Sequence, residues 1–164
     1  MPAGSDPQAM ALYQEHLDIL SDALLSGDPD RFMARVTVPH VMQTATHRHE
    51  TITAEAQRAL FTTFANLFRS EGITAFVRTA RFATFVSPNV IVGQHDSHKM
   101  RGAHRTLAPY PNRVRLARGA DDIWRETHCA NAVQNLTGSF AQPPTIAADP
   151  QVPDLHPDFR KVPL

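Results

Sequence analysis

Apolar residues recur at helical spacing in the first part of the chain and at strand spacing from about residue 73 onward. Met10, Tyr13, Leu17, Leu20 and Leu24 share one face of a helix, which the spacing predicts over about Met10 to Leu25. Asp6-Pro7 supplies a cap and a first-turn proline for it, and Gly27 stops it. Asp28-Pro29 repeats the start signal for a short second helix with Phe32, Met33 and Val36 on its apolar face, ended by Pro39. A β segment over Val38 to Ile52 follows, then a third helix over Thr53 to Ser70. Leu60, Phe61, Phe64, Leu67 and Phe68 give that helix a stripe wide enough to face a core, and Gly72 terminates it.

The second half reads as strands over Ile73 to Val86, Val90 to about Leu107, Arg113 to Arg118 and Ile123 to Val133. They are joined by turns at Ser87-Pro88-Asn89, Pro109-Tyr110-Pro111-Asn112 and Gly119-Ala120-Asp121-Asp122, and connections this short favour an antiparallel meander. Helices first and strands second predict an α+β layer fold, with the helices against one face of a curved sheet. The first long strand carries apolar residues on both faces: Ile73, Val77 and Phe85 on one, Phe76, Phe82 and Val86 on the other. A sheet apolar on both sides needs two covers; the helices supply one, and a second copy is the expected other, giving a homodimer through the sheet. After Gly138 the pattern ends. Residues 139–164 hold six prolines and almost no periodic apolar positions, so a domain over 1–137 and a Pro-rich tail over 138–164 are expected.

Composition narrows the class. At 164 residues the chain fits one domain. Sixteen basic residues (fourteen Arg, with Lys99 and Lys161) balance sixteen acidic ones, so no global field favours nucleic acid or an anionic membrane. The single cysteine, Cys129, excludes an internal disulfide framework and a cysteine-based zinc site. No apolar run approaches the roughly 20 residues that span a bilayer, and residues 1–6 lack a signal-peptide pattern, so a cytoplasmic protein is expected.

The order of elements resembles the nuclear-transport-factor-2-like (NTF2-like) superfamily, specifically its SnoaL-like, polyketide cyclase-like branch. The residues that carry the resemblance are the first-helix stripe, the entry Ser26-Gly27-Asp28-Pro29-Asp30-Arg31-Phe32, the Phe-rich third helix and the closing Asp121-Asp122-Ile123-Trp124-Arg125. It covers roughly residues 8–136 and implies a cone: three N-terminal helices packed in a curved, antiparallel or mixed sheet, with a cavity at the open end. It also implies a small-molecule ligand. Members of the superfamily include polyketide cyclases, ketosteroid isomerase and scytalone dehydratase, alongside binding and dimerisation modules without turnover, so the fold leaves the function open.

Acid–base chemistry in such a cone needs a carboxylate or histidine near a donor that stabilises developing negative charge. Carboxylates inside the expected strands are Glu50, Asp96 and Glu126. Asp96 and His98 share a strand face with Val90, Val92 and Gln94, which makes them the candidate base and partner if that face looks into the cone. Glu126 and His128 share the face of Trp124, where rim exposure is the ordinary case for such residues. Tyr13 invites comparison with ketosteroid isomerases, whose oxyanion-holding tyrosine also sits on the first helix. Those enzymes carry an aspartate base on the strand after the short helix, and here that strand reads Pro39-His40-Val41-Met42-Gln43-Thr44, without a carboxylate. The candidate site is thus Asp96 as base and His98 as partner, with His128 or Tyr13 as donor.

Nine histidines raise the question of a metal. His47 and His49 would share a strand face, and His95 and His98 would not. A third ligand would have to come in space from His40, His104 or His128, so no metal and no cofactor are expected. Six basic and no acidic residues between Ser97 and Ala120 can steer an anionic substrate, whereas nucleic-acid binding would want more aromatics than Tyr110. The reading is a cofactor-free cyclase, isomerase or dehydratase acting on a small apolar or aromatic molecule, with a non-catalytic binding or dimerisation module as the alternative.

Overall fold

Capping residues set the helices. In the computed structural model, which describes residues 4–44 and 48–131, Asp6 caps α1 (Pro7–Ser26) by accepting the Ala9 N–H at 2.9 Å. Asp28 caps α2 (Pro29–Met33) through the Arg31 N–H at 3.0 Å, and Thr53 caps α3 (Ala54–Ser70) through the Ala56 N–H at 3.1 Å. Gly27 closes α1 in the left-handed region, with φ 69°. The bounds of α1 and α3 agree with the sequence expectation to within a turn, whereas α2 is shorter than expected: Val36, read onto its apolar face, and Pro39, read as its end, both belong to β1. The Pro-rich tail and His47 lie outside the described residues.

Seven strands form one sheet: β1 (Val36–Gln43), β2 (Arg48–Thr51), β3 (Ala75–Ser87), β4 (Val90–Arg101), β5 (His104–Arg105), β6 (Tyr110–Arg118) and β7 (Trp124–Asn131). Their order is β2-β1-β7-β6-β4-β3, with the short β5 pairing β4. Only β1–β7 is parallel; the other pairs are antiparallel, as a meander requires. The turn expected over Pro109 to Asn112 is a correction, because β6 already begins at Tyr110. Pro111 is tolerated there because its described partner is Asp96 on β4 alone, while pairing to β7 starts at Asn112.

The first helix lies across the inner face and is fastened to the edge strand β3. Gln14 donates to the Arg78 carbonyl and accepts the Ala80 N–H, both at 2.8 Å, which satisfies backbone groups that an edge would otherwise leave bare. Tyr13 and Leu17 pack with Ala83, Ile91, Val114, Leu116 and Trp124 in the main core. A smaller cluster of Ala23, Phe32, Phe61 and Ala65 joins the three helices. Phe68 of α3 meets Phe76 of β3 edge-to-face with centroids 5.0 Å apart. Between that contact and the main core the helices and the inner sheet face leave a cavity.

Gly93 lets α1 approach so closely. A Cβ there would lie 2.7 Å from Tyr13 Cε2 and 2.8 Å from both Tyr13 Cζ and the Phe82 carbonyl oxygen. Gly93→Ala is therefore expected to destabilise the protein by about 1–3 kcal/mol, the usual range for overpacking. Urea denaturation measures it, and a change below about 0.5 kcal/mol, the range of neutral surface substitutions, would show that the ring moves away freely.

Candidate active site

Every second residue of the central strands points into the cone. On β4 these are Ile91, Gly93, His95, Ser97 and Lys99; on β6 they are Tyr110, Asn112, Val114 and Leu116. The cavity is about 120 Å³, room for a ring-sized molecule or several waters. Its walls are apolar on the helix side, with Leu20, Leu24, Phe32, Phe64, Leu67 and Phe68, and mixed on the sheet side.

At one end stands Glu126. The residue is 5 % exposed, and its carboxylate meets two imidazoles: His40 Nε2 lies 2.9 Å from Oε1 and His16 Nε2 3.3 Å from Oε2. A carboxylate only accepts, so both Nε2 atoms carry a proton and donate it to Glu126. Neither Nδ1 has a partner among the described residues. Burial pushes the Glu126 pKa up, but the hydrogen bonds from His16 and His40 outweigh it and hold the carboxyl well below the usual range. Burial pulls His16 down from 6.5, so it is the neutral donor that this arrangement needs. The Cys129 thiol, raised by burial and then by the Glu126 charge, stays protonated beside them.

A second pair lies across the inner face. Tyr13 Oη and His95 Nδ1 are 2.9 Å apart. Burial, reinforced by the Glu126 charge, raises the Tyr13 pKa well above 10.0, so the phenol keeps its proton and gives it to His95 Nδ1. Burial and the nearby Arg78 charge hold His95 well below 6.5. The imidazole is therefore neutral, with Nε2–H as its remaining donor on the cavity wall. Tyr13 itself is completely buried beneath His95 and does not line the cavity, so it positions His95.

These neutral imidazoles set the acid response. His16 and His95 have folded pKa values below 6.5, so under that pH the unfolded chain takes up protons that the folded one refuses. Stability is then lost as pH falls, by up to about 1.4 kcal/mol per pH unit for each histidine. Glu126, depressed from 4.5, adds a further loss below that value. Urea midpoints are expected to drop between pH 7 and 5 and to drop less for His95→Gln. A flat profile would contradict the neutral imidazoles.

Asp96 and His98 lie elsewhere. Their face of β4 is the outer one, where Asp96 accepts from Arg81 Nε at 2.7 Å and His98 is opposite Val77, which is half exposed. A surface pair of this kind is worth at most about 1 kcal/mol. His128 is also outside the cavity. Leu116 pairs with Glu126 and Arg115 with His128, so Thr127 is an extra residue, and this bulge turns His128 outward and Cys129 inward. His128 Nδ1 instead meets Thr127 Oγ1 at 2.9 Å. The residues the structure gathers but the strand-face argument passed over are His16, His40, His95, Glu126 and Arg78.

His40, Glu126 and Cys129 form a metal-type donor set among the described residues, with ligating atoms within 4.8 Å of one another. Both carboxylate oxygens already receive imidazole N–H groups. The carboxylate is thus engaged on both oxygens, with the imidazole Nδ1 atoms left unpartnered among the described residues.

No family model matches the chain, and no curated protein does. Solved structures do match. One is an NTF2-like protein of unknown function from Shewanella oneidensis, with a TM-score of 0.59, 13 % identity, and 73 % of this chain and 94 % of that one covered. An NTF2-like superfamily protein from Salmonella enterica superposes with a TM-score of 0.54 at 12 % identity, covering 82 % and 97 %. A ketosteroid isomerase-like protein from Erwinia carotovora gives 0.52 at 10 % identity, covering 76 % and 95 %. The chain therefore has the NTF2-like fold, an α+β cone with an open mixed sheet. Among the described residues no helix is long and apolar enough to cross a membrane.

Proposed function

We propose that this protein is a SnoaL-like, cofactor-free acid–base enzyme that removes a proton beside a carbonyl group of a small, largely apolar or aromatic molecule, leading to isomerisation, cyclisation or dehydration. The observation that carries the reading is the buried Glu126–His40 pair on the same cavity as the Tyr13-backed His95. His40 accepts the proton at Nδ1, because its Nε2–H is committed to Glu126. The ionised Glu126 then stabilises the imidazolium, as a carboxylate does behind any histidine base. The electron pair of the broken C–H bond moves to the carbonyl oxygen, and the enolate is held by the His95 Nε2–H, with the Arg78 charge nearby. Return of the proton from His40 to another atom completes an isomerisation and regenerates the neutral imidazole.

A binding module without turnover would be expected to have a cavity lined by Leu, Phe and Val alone, whereas this one holds convergent titratable groups. The ketosteroid isomerase-like neighbour shares only the fold, and no aspartate base of the ketosteroid isomerase kind is placed here, since β1 carries His40 and no carboxylate. The test is proton–deuterium exchange, read by NMR, on a panel of aromatic and cyclic ketones in deuterated buffer. Exchange next to the carbonyl above the buffer rate is expected. A panel that exchanges no faster with the protein than without it would overturn the reading.

A further inference from the structure

The inner wall holds two cations whose hydrogen-bonding capacity is only partly filled by the described residues. Phe76 pairs with Lys99, and two residues along Arg78 pairs with Ser97, so Arg78 and Lys99 project from successive rows of the same face. Arg78 is fixed by two neutral acceptors: its Nε donates to Ser21 Oγ and its Nη2 to the Leu17 carbonyl, both at 2.9 Å. No carboxylate pairs with it among the described residues. Lys99 has a side chain only 7 % exposed, with its ammonium 4.8 Å from the Phe68 ring centroid. Its one described counter-ion is Glu71 at the rim, 3.9 Å away. Glu126, the carboxylate that lines the cavity, has both oxygens on histidines.

A guanidinium keeps its charge and carries five N–H groups, and the acceptors on Ser21 and Leu17 leave its Nη1 end without a described partner on the cavity wall. We infer that the substrate carries a carboxylate, which Arg78 and Lys99 hold while the remainder of the molecule extends toward His95 and His40. A carboxylate suits the guanidinium fork, which can grip it with two parallel hydrogen bonds. The apolar helix side, with Leu24, Phe64 and Leu67, suits an aromatic or alicyclic body on that carboxylate. Asn112, which donates to Ser97 Oγ at 2.7 Å, keeps a buried Oδ1 without a described partner, an acceptor for a hydroxyl on the same ligand. The substrate class is a small aromatic or cyclic keto acid.

This inference rests on the reading of the cavity as a proton-transfer site, so its test is a binding measurement that needs no turnover. Benzoate and phenylacetate are compared with benzamide and phenylacetamide by isothermal titration calorimetry. The acids are expected to bind at least about tenfold more tightly than the amides, the worth of a charge-assisted hydrogen bond. Arg78→Met should erase that preference, and Lys99→Met should reduce it. Because Arg78 also ties α1 to β3, Arg78→Lys is the second variant; it keeps the charge, loses the fork and should keep only part of the preference. Equal binding of acids and amides, no binding of either, or a preference that survives both Arg78 variants would overturn the inference. His40→Ala should leave acid binding in place. Deuterium exchange by a protein with no taste for carboxylates would remove this inference alone, and carboxylate binding without exchange would remove the proton-transfer reading alone.

Discussion

Glu126→Ala is expected to destabilise the protein by about 3–5 kcal/mol, as removal of one partner from a buried charged network does. The carboxylate joins α1 to β1 and β7 by meeting His16 Nε2 at 3.3 Å and His40 Nε2 at 2.9 Å. His16 has no exposure, so once Glu126 is gone its N–H has neither protein nor bulk water to turn to. Leaving buried donors without acceptors does more harm than the net worth of the bonds themselves. Glu126→Gln keeps the volume and one acceptor oxygen, so it should lose less than the alanine variant while abolishing the charge behind His40. Urea denaturation at pH 7 measures both. A loss below about 1 kcal/mol for the alanine variant, a typical single hydrogen bond, would mean the two imidazoles do not depend on this carboxylate.

The elements were legible in the sequence because each has a local physical cause. Asp6-Pro7, Asp28-Pro29 and Thr53 start helices where they are read to start, and the Phe-rich stripe of α3 does face inward through Phe61, Phe64 and Phe68. What could not be read was which side of a strand is inside. On β4 the alternation was right, but both faces look alike: Ile91 and Val92 are each buried, and so are His95 and Gln94, each 2 % exposed. Hydrophobicity therefore gives no means of choosing, and Asp96 is as good a candidate for the inner face as His95 until the sheet is folded. On β7 the period itself breaks. The bulge at Thr127 keeps Trp124 and Glu126 inward and then exchanges the parity, so no alternation rule could place both Glu126 and His128. His16 did leave a signal. It falls inside the stripe of Tyr13, Leu17 and Leu20, and a polar residue in a core stripe needs a buried partner. That partner, Glu126, lies 110 residues away, beyond the reach of any local pattern.

His40→Ala should lower the rate of deuterium exchange by about 10²–10⁴, the range that a positioned general base supplies. His40 is the histidine of the pair that both contacts Glu126 and lines the cavity; His16 contacts Glu126 from behind and has no cavity surface. Loss of His40 should therefore act on kcat with little change in KM, since the group is used as the C–H bond breaks. His95→Gln removes the donor to the enolate and should cost about 10²–10³. Tyr13→Phe leaves the imidazole in place but frees its Nδ1 from the phenol proton, so either tautomer becomes available. Its rate should fall by less than that of His95→Gln, with a changed pH profile as the mark of a positioning role. Asp96→Asn serves as the control: its carboxylate pairs with Arg81 on the far side of the sheet, and exchange should be unchanged. An order in which Asp96→Asn is as damaging as His40→Ala would place the chemistry on the outer face and overturn the proposed site. An order led by His40, with His95 next and Tyr13 after it, follows from their proposed roles in the step: base, oxyanion donor, and the residue that orients the donor.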